Sequence, residues 1–182
     1  MQSSPNHNGL TATIAKAALD GAKQAGAQCE LVHLNDLDIG ACKACGEGWG
    51  TCAENGICVI EDGFGLLRDK MRKANAIVFS TPVYYGDFSE SLKCFMDRLR
   101  RCEPHVDRQH KLSGKLTIAI AAAGGGGGGV PPALQMFTRY FSVLGLDKFD
   151  LMGVTQRSRP FMLDTAMAAG RLMVETAAKT DA

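Results

Sequence analysis

The chain lacks an excess of charge of either sign. Twenty Lys and Arg face nineteen Asp and Glu across 182 residues, for a net charge of +1. That balance gives no electrostatic basis for binding nucleic acid. Long hydrophobic runs are missing too. The longest, such as Leu116 to Ala123, are far too short to cross a bilayer, so no membrane association is expected. No basic stretch followed by an apolar one opens the chain, so the expectation is a cytoplasmic protein without a signal peptide. There is no Gly-x-Gly-x-x-Gly, which excludes a separate dinucleotide-binding domain of that type. The four histidines, His7, His33, His105 and His110, stand at no ligand spacing, and none is assigned a metal. The last shortage is local. The polar stretch Ser3-Ser4-Pro5-Asn6-His7-Asn8-Gly9 has the composition of an anion-holding loop, and such loops follow a buried strand. Only Met1 and Gln2 precede it.

What is present is a core-forming chain, 46% hydrophobic, of a length that suits one domain over residues 1–182. Apolar residues at helical spacing predict helices over Leu10–Ala27 with Gly26 as its stop, over Glu61–Ala74 and over Ser89–Arg101. Asp87 and Glu90 read as a capping pair for the third of these. Pro131-Pro132 predict a further helix start, and Phe161–Lys179 a closing helix. Short apolar runs predict strands at Cys29–Leu34, Ala76–Ser80, Leu116–Ala123 and Phe149–Val154. Alternation of strands with helices predicts an α/β fold: a doubly wound parallel sheet with helices on both faces. Ligands of such sheets bind at the carboxyl ends of the strands.

Three segments fall at those ends. The opening loop offers Ser3, Ser4, Asn6, Asn8, Gly9 and Thr11 together with the start of the first helix, whose positive dipole end suits a phosphate. Pro82-Val83-Tyr84-Tyr85-Gly86 puts aromatic rings where a planar ligand would lie. The run Gly124 to Gly129, and Gly124, Gly125 and Gly126 above all, presents unhindered N–H groups. The basic run Arg98, Arg100 and Arg101 reads as a solvated helix end. Seven cysteines form an odd and large set, which points to free thiols, a metal or a cluster rather than a disulfide framework. Cys42, Cys45, Cys52 and Cys58 lie together in a glycine-rich stretch with spacings of two, six and five residues. Thiolates in such a loop suit a four-iron cluster or zinc, and a metal-free loop is the third reading.

From Ser3 to about Val154 the chain resembles the flavodoxin-like NAD(P)H-dependent FMN reductases, and within them the branch of the iron–sulfur flavoproteins. Ser4-Pro5 and Gly9-x-Thr11 match that family's phosphate loop, although Asn6 stands where a basic residue is frequent and Leu10 replaces an asparagine. Pro82 to Gly86 with Leu92 to Leu99 is the most specific match. The resemblance implies FMN rather than FAD, with the Pro82–Gly86 loop against the flavin ring and the glycine loop at its polar edge. It implies hydride from NAD(P)H, a small-molecule or protein electron acceptor, no catalytic acid or base from the protein, and a homo-oligomer. It also implies cluster ligands among the clustered cysteines, with Gly48 in the place of the third ligand and Cys52 taking over. A non-enzymatic electron carrier with FMN and a cluster, or a module without flavin, are the rival readings. In this family a short apolar strand, central in the sheet, precedes the serine-proline. Its apparent lack here leads to the expectation that the sequence is shortened at its start. The alternatives are that a neighbouring chain lends the strand or that the sheet closes without it.

Overall fold

The computed structural model describes residues 1–105 and 111–180. Its described elements run α1 (Leu10–Gln24), α2 (Thr51–Asn55), α3 (Gly63–Lys73), β1 (Ala76–Pro82), α4 (Glu90–Cys102), β2 (Leu116–Ala123), α5 (Val130–Leu144), β3 (Asp147–Thr155) and α6 (Arg159–Thr180). The three strands are parallel in the order β1-β2-β3. Beside β1, Gln2 forms isolated bridges outside the named strands. Gln2 bridges Ser80 on one side and His33 on the other, both in parallel. The Gln2 N–H donates to Val32 O, the Leu34 N–H to Gln2 O, and the Ser3 N–H to Ser80 O. Residues 1–3 therefore occupy the central position expected of the first strand. The expected strand Cys29–Leu34 is not formed as such. Of that segment only His33 enters a bridge, with Gln2.

Period-two alternation sorts each strand between two cores. Ile77 and Phe79 face α3, α4 and α5, joining Phe64, Leu67, Leu92, Phe95, Phe137 and Phe141. Val78, Ile118, Ile120, Met152 and Val154 face α1 and α6, joining Ile14, Ala18, Ala166 and Met173. The Phe79 ring packs on Phe137 and Phe141 at centroid distances of 5.9 and 5.6 Å. Such pairs add about 0.5–1.5 kcal/mol each beyond area burial. α1 and α6 cross at glycine. A Cβ on Gly21 would lie 1.8 Å from Met167 O, and one on Gly170 would lie 1.9 Å from Ala18 O. That close crossing packs α1 against α6 backbone to backbone on one face of the sheet.

The helix caps differ from expectation at α4. Ser89 is the N-cap and its side chain accepts from the Leu92 N–H, while Asp87 accepts from the adjacent Phe88 N–H. The glycine-rich cysteine stretch contains the short α2. Among the described residues no helix is long and apolar enough to cross a membrane.

Candidate functional site

The opening loop is shaped by its own side chains. Ser4 Oγ accepts from the Asn6 N–H at 3.2 Å, and Asn6 Oδ1 accepts from the Asn8 N–H at 3.0 Å. These local turns are what Ser and Asn favour in loops. Pro5, Asn6, His7 and Asn8 are exposed, and Gly9 is the N-cap of α1. No side chain caps α1 and no acidic residue stands in its first turn. Its leading N–H groups are thus open to an anion. Ser3 and Thr11 are buried. Ser89 Oγ donates to Ser3 Oγ at 2.8 Å, and Ser3 Oγ donates to Thr81 Oγ1 at 3.0 Å. Thr81 Oγ1 in turn donates to Pro82 O at 3.0 Å. Ser80 Oγ donates to Thr11 O at 2.9 Å. This hydroxyl relay fastens the opening loop to the end of β1 and the start of α4. Gln2 completes the seat: its Oε1 accepts from the Ser4 N–H at 2.7 Å, and its Nε2 donates to Ser4 O at 3.0 Å and to His33 Nδ1. The His33 ring stacks on His7 with centroids 4.1 Å apart, and His7 Nε2 pairs with Asp36 at 2.9 Å.

The second segment is a tight turn. Tyr84 and Asp87 exchange two backbone hydrogen bonds of 3.0 Å. Its central residues, Tyr85 and Gly86, have φ of +50° and +86°. Positive φ at both positions is the geometry of a type I′ turn, and at Tyr85 it is a strained one for a bulky residue. The turn holds Tyr85 fully in solvent and Tyr84 partly so. The third segment, the glycine loop, leans on this turn. A Cβ on Gly129 would lie 2.8 Å from Val83 Cγ1 and 3.0 Å from Gly86 N, whereas one on Gly124, Gly125 or Gly126 would meet nothing within 4 Å. Gly129 is a packing seam, and Gly124 to Gly126 border open space.

The cysteine segment meets the far end of α4. Cys42, Cys45, Cys52 and Cys58 line one cavity with Arg98, Arg101 and Cys102. The expectation of a solvated Arg98 is corrected: it is 1% exposed. Its Nη1 donates to Asp62 Oδ2 at 2.6 Å and to Gly40 O at 3.0 Å. Its Nη2 donates to Asp62 Oδ1 at 2.9 Å, to Ile60 O at 3.2 Å and to Cys58 Sγ at 3.4 Å. The Phe64 ring lies 4.3 Å from the guanidinium carbon. Arg101 donates to Gly48 O and lies over Trp49, while Arg68 donates to Gly56 O at 2.6 Å. Three arginines from α3 and α4 thus satisfy carbonyls of a segment with little regular structure of its own. Burial alone would raise the Asp62 carboxyl. The hydrogen bonds from Arg98, Gly40 and Phe64 outweigh it and hold Asp62 below the ordinary carboxylate range. Asp62 also caps α3 through the Phe64 N–H.

Sequence reasoning missed Cys102 as a lining residue. Burial, then the nearby Cys58, pushes its thiol up to about 12. Among the described residues no three His, Cys, Asp or Glu side chains gather at single-ion distances. The four clustered cysteines are brought together only as lining of the one cavity. The Nε atoms of Arg98 and Arg101 are buried without a hydrogen-bond partner among the described residues, which suits an anionic occupant. Gly48, in the place of the third ligand, has φ of +108°, a conformation that a cysteine rarely adopts. Cys52, buried on α2, faces the cavity in its stead. His110 lies outside the described residues.

A parallel sheet with an open helix start, an aromatic turn and a glycine loop at its carboxyl end defines the flavodoxin-like class. Solved structures agree on the fold. A flavone reductase superposes with a TM-score of 0.77 at 20% identity, over 99% of this chain and 62% of that one. An NAD(P)H:quinone oxidoreductase from Methanothermobacter marburgensis gives 0.75 at 17% identity, over 93% and 92% of the two chains. The profile of the NADPH-dependent FMN reductases matches residues 2–146, and the chain belongs to that family. An iron-sulfur flavoprotein of Methanosarcina thermophila is 36% identical over 85 residues, 47% of this chain and 42% of that protein. One from Methanocaldococcus jannaschii is 30% identical over 115 residues, 63% of this chain and 58% of that protein. The chain thus spans about half the length of these relatives.

Proposed function

We propose that the protein is an FMN-binding oxidoreductase that accepts hydride from NAD(P)H and passes electrons to a separate acceptor. The observation that carries this reading is the meeting of three loops at one sheet end, within a family of FMN reductases. The open start of α1, framed by Ser4, Asn6, Asn8 and Gly9, would take the FMN phosphate. Ser3 and Thr11 would hold that loop in place from below. Pro82 to Gly86 would lie along the ring, and Gly124 to Gly126 would offer N–H groups to its polar edge. The flavin, when bound, supplies the two-electron chemistry; the chain binds and orients it. The cofactor released by heat is expected to be FMN. Release of FAD, or no flavin after reconstitution, would refute the reading.

Cys42, Cys45, Cys52 and Cys58 fit an iron–sulfur cluster on the same reading. A zinc ion draws its ligands to one point, whereas a cluster spreads thiolates around a cage. Four cysteines that line one cavity together with Arg98 and Arg101 support the cluster. Anaerobic reconstitution should load about four irons per chain, and Cys45→Ser should abolish the loading. Iron content unchanged by the substitution would dismiss the cluster. A homo-oligomer is part of the proposal and is read by light scattering. The second reading, a carrier that exchanges electrons with a protein partner, draws on exposed Trp49, Ile57 and Val59 in the cysteine segment. Oxidation of NAD(P)H with a soluble acceptor would favour the enzyme over the carrier.

A further inference from the structure

We infer that Arg98 is a positioning residue for the group in the cysteine cavity, raising its reduction potential by donating an N–H to Cys58 Sγ. The inference rests on the reading that the cysteines hold an iron–sulfur cluster. Arg98 cannot swing away. Asp62 takes both ends of its guanidinium fork, Gly40 O and Ile60 O accept from the same two nitrogens, and the Phe64 ring lies against its flat face. Within that clamp Nη2 has two hydrogens: one serves Asp62 Oδ1, and the other is shared between Ile60 O at 3.2 Å and Cys58 Sγ at 3.4 Å. Asp62 offsets the charge of Arg98, so what reaches the sulfur is chiefly the dipole of the N–H that it shares with Ile60 O. Arg101 differs. Among the described residues no carboxylate pairs with it, it reaches Gly48 O rather than a cysteine, and it contributes an offset-free charge.

An N–H aimed at a ligating sulfur draws electron density from it and favours the more negative, reduced cluster. The step concerned is the entry of one electron. No bond breaks and no proton moves. In the test the electron comes from dithionite through mediators.

The reconstituted full chain, R98K and R101K are compared for iron content and for midpoint potential by EPR-monitored titration. Lysine keeps the charge beside Asp62, but one ammonium cannot reproduce a fork that serves Asp62 and Cys58 together. R98K is expected to hold the same iron with a midpoint lower by at least a tenfold change in equilibrium, 59 mV for one electron. R101K is expected to shift it less. Equal midpoints in R98K and the unmutated protein would overturn the role of Arg98 and leave the cluster reading standing. Absence of iron from the unmutated protein would overturn both. Should R98K not fold, the unmutated sequence with 15N-arginine serves instead. Pulsed EPR of the reduced cluster should show a 15N coupling that persists in R101K, and its absence would overturn the assignment.

Discussion

Replacing Gly129 and Gly125 with alanine, separately, distinguishes the packing seam of the proposed flavin site from its proposed cradle. The added methyl at Gly129 would sit 2.8 Å from Val83 Cγ1 and 3.0 Å from the backbone nitrogen of Gly86. Val83 is β-branched and stiff, and Gly86 belongs to a turn locked by two hydrogen bonds, so neither neighbour yields easily. Overpacking of this kind costs about 1–3 kcal/mol. Because relief requires the Tyr84–Asp87 turn to move, the same cost should appear in FMN affinity, as a loss of roughly 5- to 150-fold. At Gly125 the methyl would meet nothing within 4 Å. Gly125→Ala should leave the apoprotein as stable as before, or raise it by about 0.4–1 kcal/mol through the unfolded chain. It should still weaken FMN binding if the flavin edge occupies the space that the glycines leave open. The assays are urea denaturation of the apoprotein and a fluorescence titration with FMN. Full affinity in Gly125→Ala would show that the flavin does not lie at this loop. A Gly129→Ala protein of unchanged stability would show that the seam gives way freely, and the packing argument would fail.

Two further outcomes are expected. The Tyr84→Ala, Tyr85→Ala double variant should bind FMN more weakly by about 1–3 kcal/mol, the scale of lost aromatic contact; unaltered affinity would mean that the exposed turn serves something else. In the chain with a free amino group at Met1, that group donates to Val78 O, and burial lowers it from 8.0 to about 5. The unfolded chain therefore binds an extra proton between pH 8 and pH 5, and stability should fall on acidification across that window, by up to about 1.4 kcal/mol per pH unit. His33, lowered by burial and then by His7, acts in the same direction further into acid. Nα-acetylation should flatten the upper part of the slope, and an unchanged slope would refute the assignment to Met1.

The elements were legible wherever a local pattern determines them. Leu116–Ala123 is a strand with the bounds its apolar run suggests, and the Pro131-Pro132 start of α5 follows from proline's tolerance in a first turn. What depends on distant partners was not legible. Arg98 stands in a basic run at a helix end, and its burial is dictated by Asp62, 36 positions away. The partners of the Ser3 hydroxyl, Thr81 and Ser89, lie far along the chain and leave no local signal. Cys29–Leu34 has a strand's composition, yet only His33 of it enters a bridge. In the candidate site the loops could be picked out individually, while the glycine seam that joins two of them could not, because close approach leaves no trace in one segment alone.

Helix α4 acts as a phase lock. Ser89 and Ser91 at its start hold the opening loop through Ser3, and Arg98, Arg101 and Cys102 at its end meet the cysteine cavity. A single residue inserted between them would advance the far end by only about 1.5 Å but rotate it by about 100°. Arg98 would then leave Asp62 and Cys58 while Ser89 stayed with Ser3. The two ends can stay in step only if the number of residues between them is kept, so length variation in proteins built this way should collect in the cysteine segment and the glycine loop, and spare this helix.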